Sequence, residues 1–406
     1  PPTLESVRFV IEMPAYLNSK RSDEIDGSRG VLSMPVGSIL HIRADANKQL
    51  QTVGILLDGK PVGNCVLDPT GKTLRGTVRI SGKNVQRSLS LKFRLLDRAG
   101  YTNRRMEEYT LKVDADLAPQ FRYFRTQGVS QEVCPTARIP LHASAMDTYG
   151  VGEIRSWYTV TLPAVGDKPA TPSKPIQIGL SKPDQPMSVF STRWELDIKP
   201  DTAKGEKGLP VGTVIAMQAE CADRLPVEFA GPNRAKSAVL ELRVISREEL
   251  LGRLAARQKE TQLEFGEQAI VQQDASLGKM ELIAANARRG SIAAAKVDLD
   301  EALSRQRIAM TESEKAADTL EAVAMEMELN RLGQARPGKE REYDTIRKNI
   351  VSPLRDLVKR IRGVVTKIDQ AKAAATAGQL ASESDDIVAT QLKLVKLMEE
   401  IEKQMG

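Results

Sequence analysis

The stretch SILHIRADANKQLQTVGILLDGK, Ser38 to Lys60, alternates apolar and polar residues in two successive runs and closes on Asp58-Gly59. Leu40, Ile42, Ala44 and Ala46 share one face of a first strand, and Val53, Ile55 and Leu57 share one face of a second. A period of two marks strands with one buried side, and an Asp-Gly pair tolerates the positive φ angles of a tight hairpin. The pattern returns in IPLHASAMDTYGVGEIRSWY, Ile139 to Tyr158. There Ile139, Leu141, Ala143 and Ala145 stand 99 positions after Leu40, Ile42, Ala44 and Ala46, and Ile154 stands 99 after Ile55. A second match pairs Leu91, Phe93, Leu95 and Asp97 with Met217, Ala219, Cys221 and Asp223 at an offset of 126, so the second copy is longer by 27 residues. Residues 161–187 hold six prolines among Lys, Ser and Asp, which predicts that the extra length is a surface loop there. A repeat near one hundred residues, made of short alternating strands, predicts two sandwiches of immunoglobulin or fibronectin type, over 1–116 and 117–245.

Composition changes at Ser246. Of 21 prolines only Pro337 and Pro353 lie beyond it, and of the aromatic residues only Phe265 and Tyr343 do. The segment 246–406 therefore reads as long helices, packed as an antiparallel bundle or a coiled coil. Ser246-Arg-Glu-Glu249 predicts a capping box, with Glu249 reaching back to the cap. Gly290-Ser291, GQARPGK from Gly333 and the alanine-rich turn through Gly378 divide the helices. Ile350, Leu354, Leu357, Ile361, Val364 and Ile368 recur at spacings of 4 and 3, a seam that asks for a helical partner inside the chain or on a second copy.

The chain has 406 residues, 41% of them hydrophobic, and a formal charge of +6 from 59 basic and 53 acidic residues. That excess is small and spread out, without aromatic-basic interleaving, so no nucleic-acid partner is expected. No run reaches the roughly 18 apolar residues of a membrane helix. The opening Pro1-Pro2 reads as the start of a processed or excised piece, with any membrane anchor in segments outside this chain.

Chemistry is sparse. His41 and His142 lie on strands with their neighbours inward and read as surface residues; no HExxH, GxSxG or phosphate-loop pattern occurs. Cys65, Cys134 and Cys221 form no CxxC pair, and although Cys134 and Cys221 flank Trp157, the repeat places Cys134 before its strand, so free buried thiols are expected. In FRLLDRAGYTNRRMEEYTLKVDADLAP, Phe93 to Pro119, Asp97, Asp114 and Asp116 are calcium candidates; turn and linker duties account for them, and no catalytic residue, cofactor or metal site is expected.

DRAGYTNRRMEEYTLKVDADLAP is similar to the closing strands of bacterial immunoglobulin-like envelope repeats. The longer order, MPAYLNS from Met13, ANKQL from Ala46, AMDTYGVGEIR from Ala145 and ISREELLGRLAARQKE from Ile245, resembles the extracytoplasmic region of planctomycete-type DUF4175-related membrane proteins. Met13 stands where those have an aromatic, Gln49 where they have proline, and Asp147 stands alone where they often pair acids. The resemblance implies an extracytoplasmic, periplasmic or envelope location with a membrane anchor elsewhere in the full-length protein. The function expected is a non-enzymatic structural or protein-interaction component, with sandwiches as spacers and helices as the associating part, by self-association or with other proteins. The alternative is a module that recognises a glycan or protein through the second sandwich.

Overall fold

The computed structural model describes residues 1–17, 22–164, 170–199, 208–333 and 340–406. The first part contains β1 (Leu4–Glu12), β2 (Ile25–Asp26), β3 (Val31–Pro35), β4 (Ile39–Ala46), β5 (Leu50–Leu57), β6 (Lys60–Pro61), β7 (Asn64–Leu67), β8 (Thr73–Arg79), β9 (Arg87–Asp97) and β10 (Glu108–Asp114). One sheet has the order β2-β1-β4-β8-β7 and the other β3-β10-β9-β5-β6, with β3 parallel to β10. That is the strand order of an immunoglobulin-like sandwich, in which the first strand crosses from one sheet to run beside the last. Alternation puts Phe9, Leu40, Ile42, Leu74, Phe93 and Leu111 between the sheets. Asp58-Gly59 turns β5 into β6 with both residues at positive φ. Asp97 to Gly100 turns between β9 and β10: the Asp97 carboxylate accepts from the Ala99 and Tyr101 amides at 3.0 and 2.8 Å.

The second part contains β11 (Gln120–Thr126), β12 (Glu132–Val133), β13 (Arg138–Thr161), β14 (Ile176–Ser181), β15 (Met187–Asp197), β16 (Val214–Asp223), β17 (Arg234–Lys236) and β18 (Leu240–Val244). β13 serves two layers. Its first half pairs with β11 and β15, and its second half with β14 and β16, the change falling at the irregular stretch between Met146 and Val151. A strand that bends from one layer into the next makes a sandwich corner. Both halves supply the core, with Ile139, Leu141 and Ala143 from one and Ile154 from the other, against Met217, Cys221 and Leu242. β4 and the first half of β13 hold equivalent places, as do β9 and β16, which is the physical content of the repeat.

The loop expected over 161–187 is corrected in part, because β14 lies within it and pairs with Ile154–Tyr158. The extra length is also shared: β15 has 11 residues where the equivalent β8 has 7. Residues 165–169 of that stretch lie outside the described residues.

The last part is helical: α1 (Arg247–Glu264), α2 (Val271–Arg288), α3 (Ile292–Leu329), α4 (Glu342–Ile346), α5 (Ser352–Ala371) and α6 (Ala377–Met405). A π-turn at Phe265–Ile270 joins α1 to α2, and another at Arg347–Val351 joins α4 to α5, so each pair makes one interrupted rod. The Ser246 hydroxyl accepts from the Glu249 amide at 3.0 Å, but the Glu249 side chain pairs with Arg253 at 2.8 Å instead of closing the capping box. The rods are antiparallel neighbours. Gln258 of α1 reaches Met405 and Arg288 of α2 reaches Asp385 on α6, Lys279 reaches Asp298 on α3, Arg347 reaches Glu321, and Lys367 reaches Asp386. This is a four-rod bundle closed on itself rather than a two-stranded coiled coil. Every seam residue from Ile350 to Ile368 is buried in its core.

A polar layer crosses that core. Gln273, Ser276, Gln306 and Gln391 are fully buried, and the Gln391 amide donates to Gln306 Oε1 at 2.7 Å and Ser276 Oγ at 2.9 Å. The Gln306 amide donates to Gln273 Oε1 at 2.6 Å. Slippage of any rod would leave these amides unpaired in apolar surroundings, so the layer fixes a register that the spacing of apolar residues leaves open.

Leu357→Asp would place a carboxylate at a fully buried position. We expect a loss of several kcal/mol and melting of the helical part in dilute monomer, followed by circular dichroism. The melting temperature of the parent should not depend on protein concentration; a rise with concentration would mean that the seam is completed by a second copy.

Candidate functional site

Between the sandwiches the chain runs from Asp114 to Gln120, and Asp116 is its fixed point. The Asp116 amide donates to Asn84 Oδ1 at 2.7 Å. Its carbonyl accepts from the Asn84 amide group at 2.6 Å and from that of Asn233 at 3.0 Å. Asn84 belongs to the first sandwich and Asn233 to the second, so both hold the same peptide. The loop after β16 completes the seam: Leu225 is buried in the core of the first sandwich, and Phe229 packs against Tyr16 with ring centroids 6.2 Å apart. Gly37, at φ 89°, lies so close to the Phe229 ring that a Cβ would come within 2.9 Å, and glycine fits where a side chain would push the loop out.

Three carboxylates converge at this seam. Oxygen atoms of Asp116, Asp147 and Asp223 lie within 4.8 Å of one another, and all three residues are buried. Asp147 sits at the β13 corner, where its Oδ1 accepts from the Tyr149 and Gly150 amides at 2.8 and 2.7 Å. Asp223 ends β16, and its oxygens accept from the Leu225 and Asn233 amides and the Asn233 side chain. Asp116 is different: it is 4% exposed, and neither carboxylate oxygen has a hydrogen-bond partner. Among the described residues no lysine or arginine pairs with any of the three.

Burial, followed by the charges of Asp223 and Asp147, pushes the Asp116 carboxyl up to about 7. Burial also raises Asp223, against the hydrogen bonds it accepts from Leu225 and Asn233. Tyr16 is raised by burial and then by the charge of Asp116, and Tyr149 by burial and then by the charges of Asp114, Asp116 and Asp147.

The repeat gives the cluster an internal reference. Asp97 occupies in the first sandwich the place that Asp223 occupies in the second, at the offset of 126, and both cap the backbone after their strand. Lys48 stands 99 positions before Asp147, and its Nζ lies 3.6 Å from Asp97 Oδ2. The first copy thus pairs an acid with a base where the second sets acid against acid. Of the three sequence candidates, the structure brings only Asp116 into the cluster; Asp97 stays with Lys48, and Asp114 is half-buried near Lys112. Asp147 and Asp223 were missed, although reading the repeat for charge as well as apolar residues would have shown the reversal.

The other candidates are structural. Cys134 and Cys221 are buried free thiols in separate cores, and burial pushes them up to about 11 and about 12, which leaves little thiolate for chemistry. Lys236 Nζ lies 5.9 Å from the half-buried Trp157 ring, and the Arg125 guanidinium lies 4.8 Å from the Tyr123 ring. His41 Nε2 is 2.8 Å from Glu12 Oε2, and burial lowers His142.

No protein-family model and no curated protein matches the chain. Among solved structures, a chain of the Dpr2 Ig1-Ig2 complex with DIP-Theta Ig1-Ig3 is similar over 53% of this chain and 94% of its own, at 9% identity and a TM-score of 0.17. One described as "BspA_C_WT" is similar over 52% and 95%, at 9% identity and a TM-score of 0.22. One described as "pT26-6p" covers 99% and 93%, at 8% identity and a TM-score of 0.18. Superpositions this loose carry no argument; the immunoglobulin-like assignment rests on strand order.

Replacing Asp116 by Asn removes a charge without changing shape. In chelator, Asp116→Asn should be more stable than the parent, by on the order of 1 kcal/mol or more at pH 8. The raised native carboxyl holds a proton that the unfolded chain has lost, so parent stability falls as pH rises from about 4 to about 7 and then levels. The advantage of the variant should therefore grow across that interval, as read from denaturant midpoints.

Proposed function

We propose that this chain is a non-catalytic structural and protein-interaction component of a bacterial cell envelope, in which the sandwiches act as spacers and the bundle as a docking body. The observation that carries this reading is how the end of α3 is bolted into the second sandwich. Arg331 donates to the Thr136 carbonyl at 2.7 Å and pairs with Asp197 at 2.5 Å. Asn330 Oδ1 accepts from the Cys134 amide at 2.7 Å, and Glu326 accepts from the Ser130 amide at 3.2 Å. Arg253 of α1 pairs with Glu132. Cys134 and Ile245, from the β part, lie in the same apolar core as the helices.

Such a joint fixes spacing and orientation, as a spacer requires, and it spends the bundle seam inside the chain. Association through the helices would then use outer residues such as Leu263, Val271, Leu282 and Val297, which are exposed. The envelope location is supported by the resemblance of the turn, linker and strand motifs, and no described helix is long and apolar enough to cross a membrane.

Arg331→Ala should remove charged hydrogen bonds at the joint and cost about 1.5–3 kcal/mol. Calorimetry should show the second sandwich and the bundle melting together in the parent and separately in the variant; an unchanged joint transition would contradict the fixed spacer. Protease added outside the cytoplasmic membrane should cleave a tagged chain in intact cells, and full protection would contradict the envelope location.

A further inference from the structure

We propose that Asp116, Asp147 and Asp223 form a binding site for a hard divalent cation of the calcium type, which closes the seam between the two sandwiches. The cluster by itself would be only a group of acids. What points to a ligand is Asp116, whose side chain is almost wholly buried, directed at the other two carboxylates, and without a donor on either oxygen. A buried carboxylate in that state needs a positive partner, and the first sandwich shows what a protein-supplied partner looks like, with Lys48 against Asp97. In the second sandwich that lysine's place is taken by Asp147.

The ligand chemistry fits the calcium class. All donors are carboxylate oxygens, which suit a hard cation, and among the described residues no histidine or thiol joins the group. Both Asp116 oxygens are uncommitted, and the hydrogen bonds made by Asp147 and Asp223 fix their direction while leaving them lone pairs. Water would complete the shell. Calcium accepts this mixture of mono- and bidentate carboxylates, whereas magnesium demands a tighter octahedron. The three ligands come from the interdomain linker, the β13 corner and the end of β16, and the linker peptide is held by Asn84 of the first sandwich. Occupation would therefore couple the two domains.

The experiment uses the full chain freed of metal by chelator. The Tyr149 amide donates to Asp147 Oδ1 and Tyr16 packs on Phe229 of the seam loop, so bound terbium should give tyrosine-sensitised emission that calcium competes away. Calcium alone should bind in calorimetry at one site and raise the melting midpoint of the β part. Asp116→Asn should keep its dichroism spectrum and bind calcium at least about tenfold more weakly, since affinity follows ligand charge. Asp147→Lys, which rebuilds the acid-base pair of the first sandwich, should remove the response; Asp97→Asn, in the other sandwich, should leave it intact. Absence of saturable calcium binding at millimolar concentrations, or binding unaffected by both Asp116→Asn and Asp147→Lys, would overturn the site. A calcium response with an unchanged domain coupling on Arg331→Ala would leave the spacer reading to fail separately.

Discussion

Asp116 turns both carboxylate oxygens into a buried seam with no donor, while Asn84 and Asn233 clamp its peptide from opposite sandwiches. Desolvating an isolated carboxylate costs several kcal/mol, so the seam is most stable when that charge is neutralised. Among the described residues no cation neutralises it, and Asp147 and Asp223 add negative charge, which leaves a proton to do so. The clamped peptide ties this local charge balance to the relation between two domains. A side chain that were free to swing into water would not have this effect.

The two joints of the molecule differ in kind. The joint of the second sandwich to the bundle supplies partners for its charged and amide side chains, with Arg331 bonded to Thr136, Ile198 and Asp197, and Asn330 to Cys134 and Glu326. The joint between the sandwiches has an apolar plug, Leu225 and Phe229, and an acidic centre whose charge is uncompensated by any described side chain. One connection is charge-balanced among described side chains, and the other is not.

Much of the architecture was legible because burial imposes a period. Leu40 to Ala46 and Ile139 to Ala145 alternate because each strand faces a core, and Ile350 to Ile368 repeat at helical spacing because one side meets other helices. The break at Ser246 follows from the proline and aromatic economy of helices. What stayed illegible depends on neighbours distant in sequence. The Gln273-Gln306-Gln391 layer that sets the register looks, in the sequence, like three ordinary polar residues. β14 was hidden in a proline-rich stretch because pairing with β13 outweighs local turn propensity. The acidic cluster joins residues 116, 147 and 223, whose meeting depends on the corner in β13; the repeat shows the change from Lys48 to Asp147 but not that Asp116 meets it.

Site-resolved NMR of the Asp116 side-chain carbon reads whether the seam holds a carboxyl that no side chain balances. In chelator its titration should centre on about 7; with saturating calcium it should move below the usual carboxylate range, because the cation favours the ionised form. A midpoint near that of a free aspartate, unchanged by calcium, would mean that Asp116 is neither desolvated in the seam nor a cation ligand.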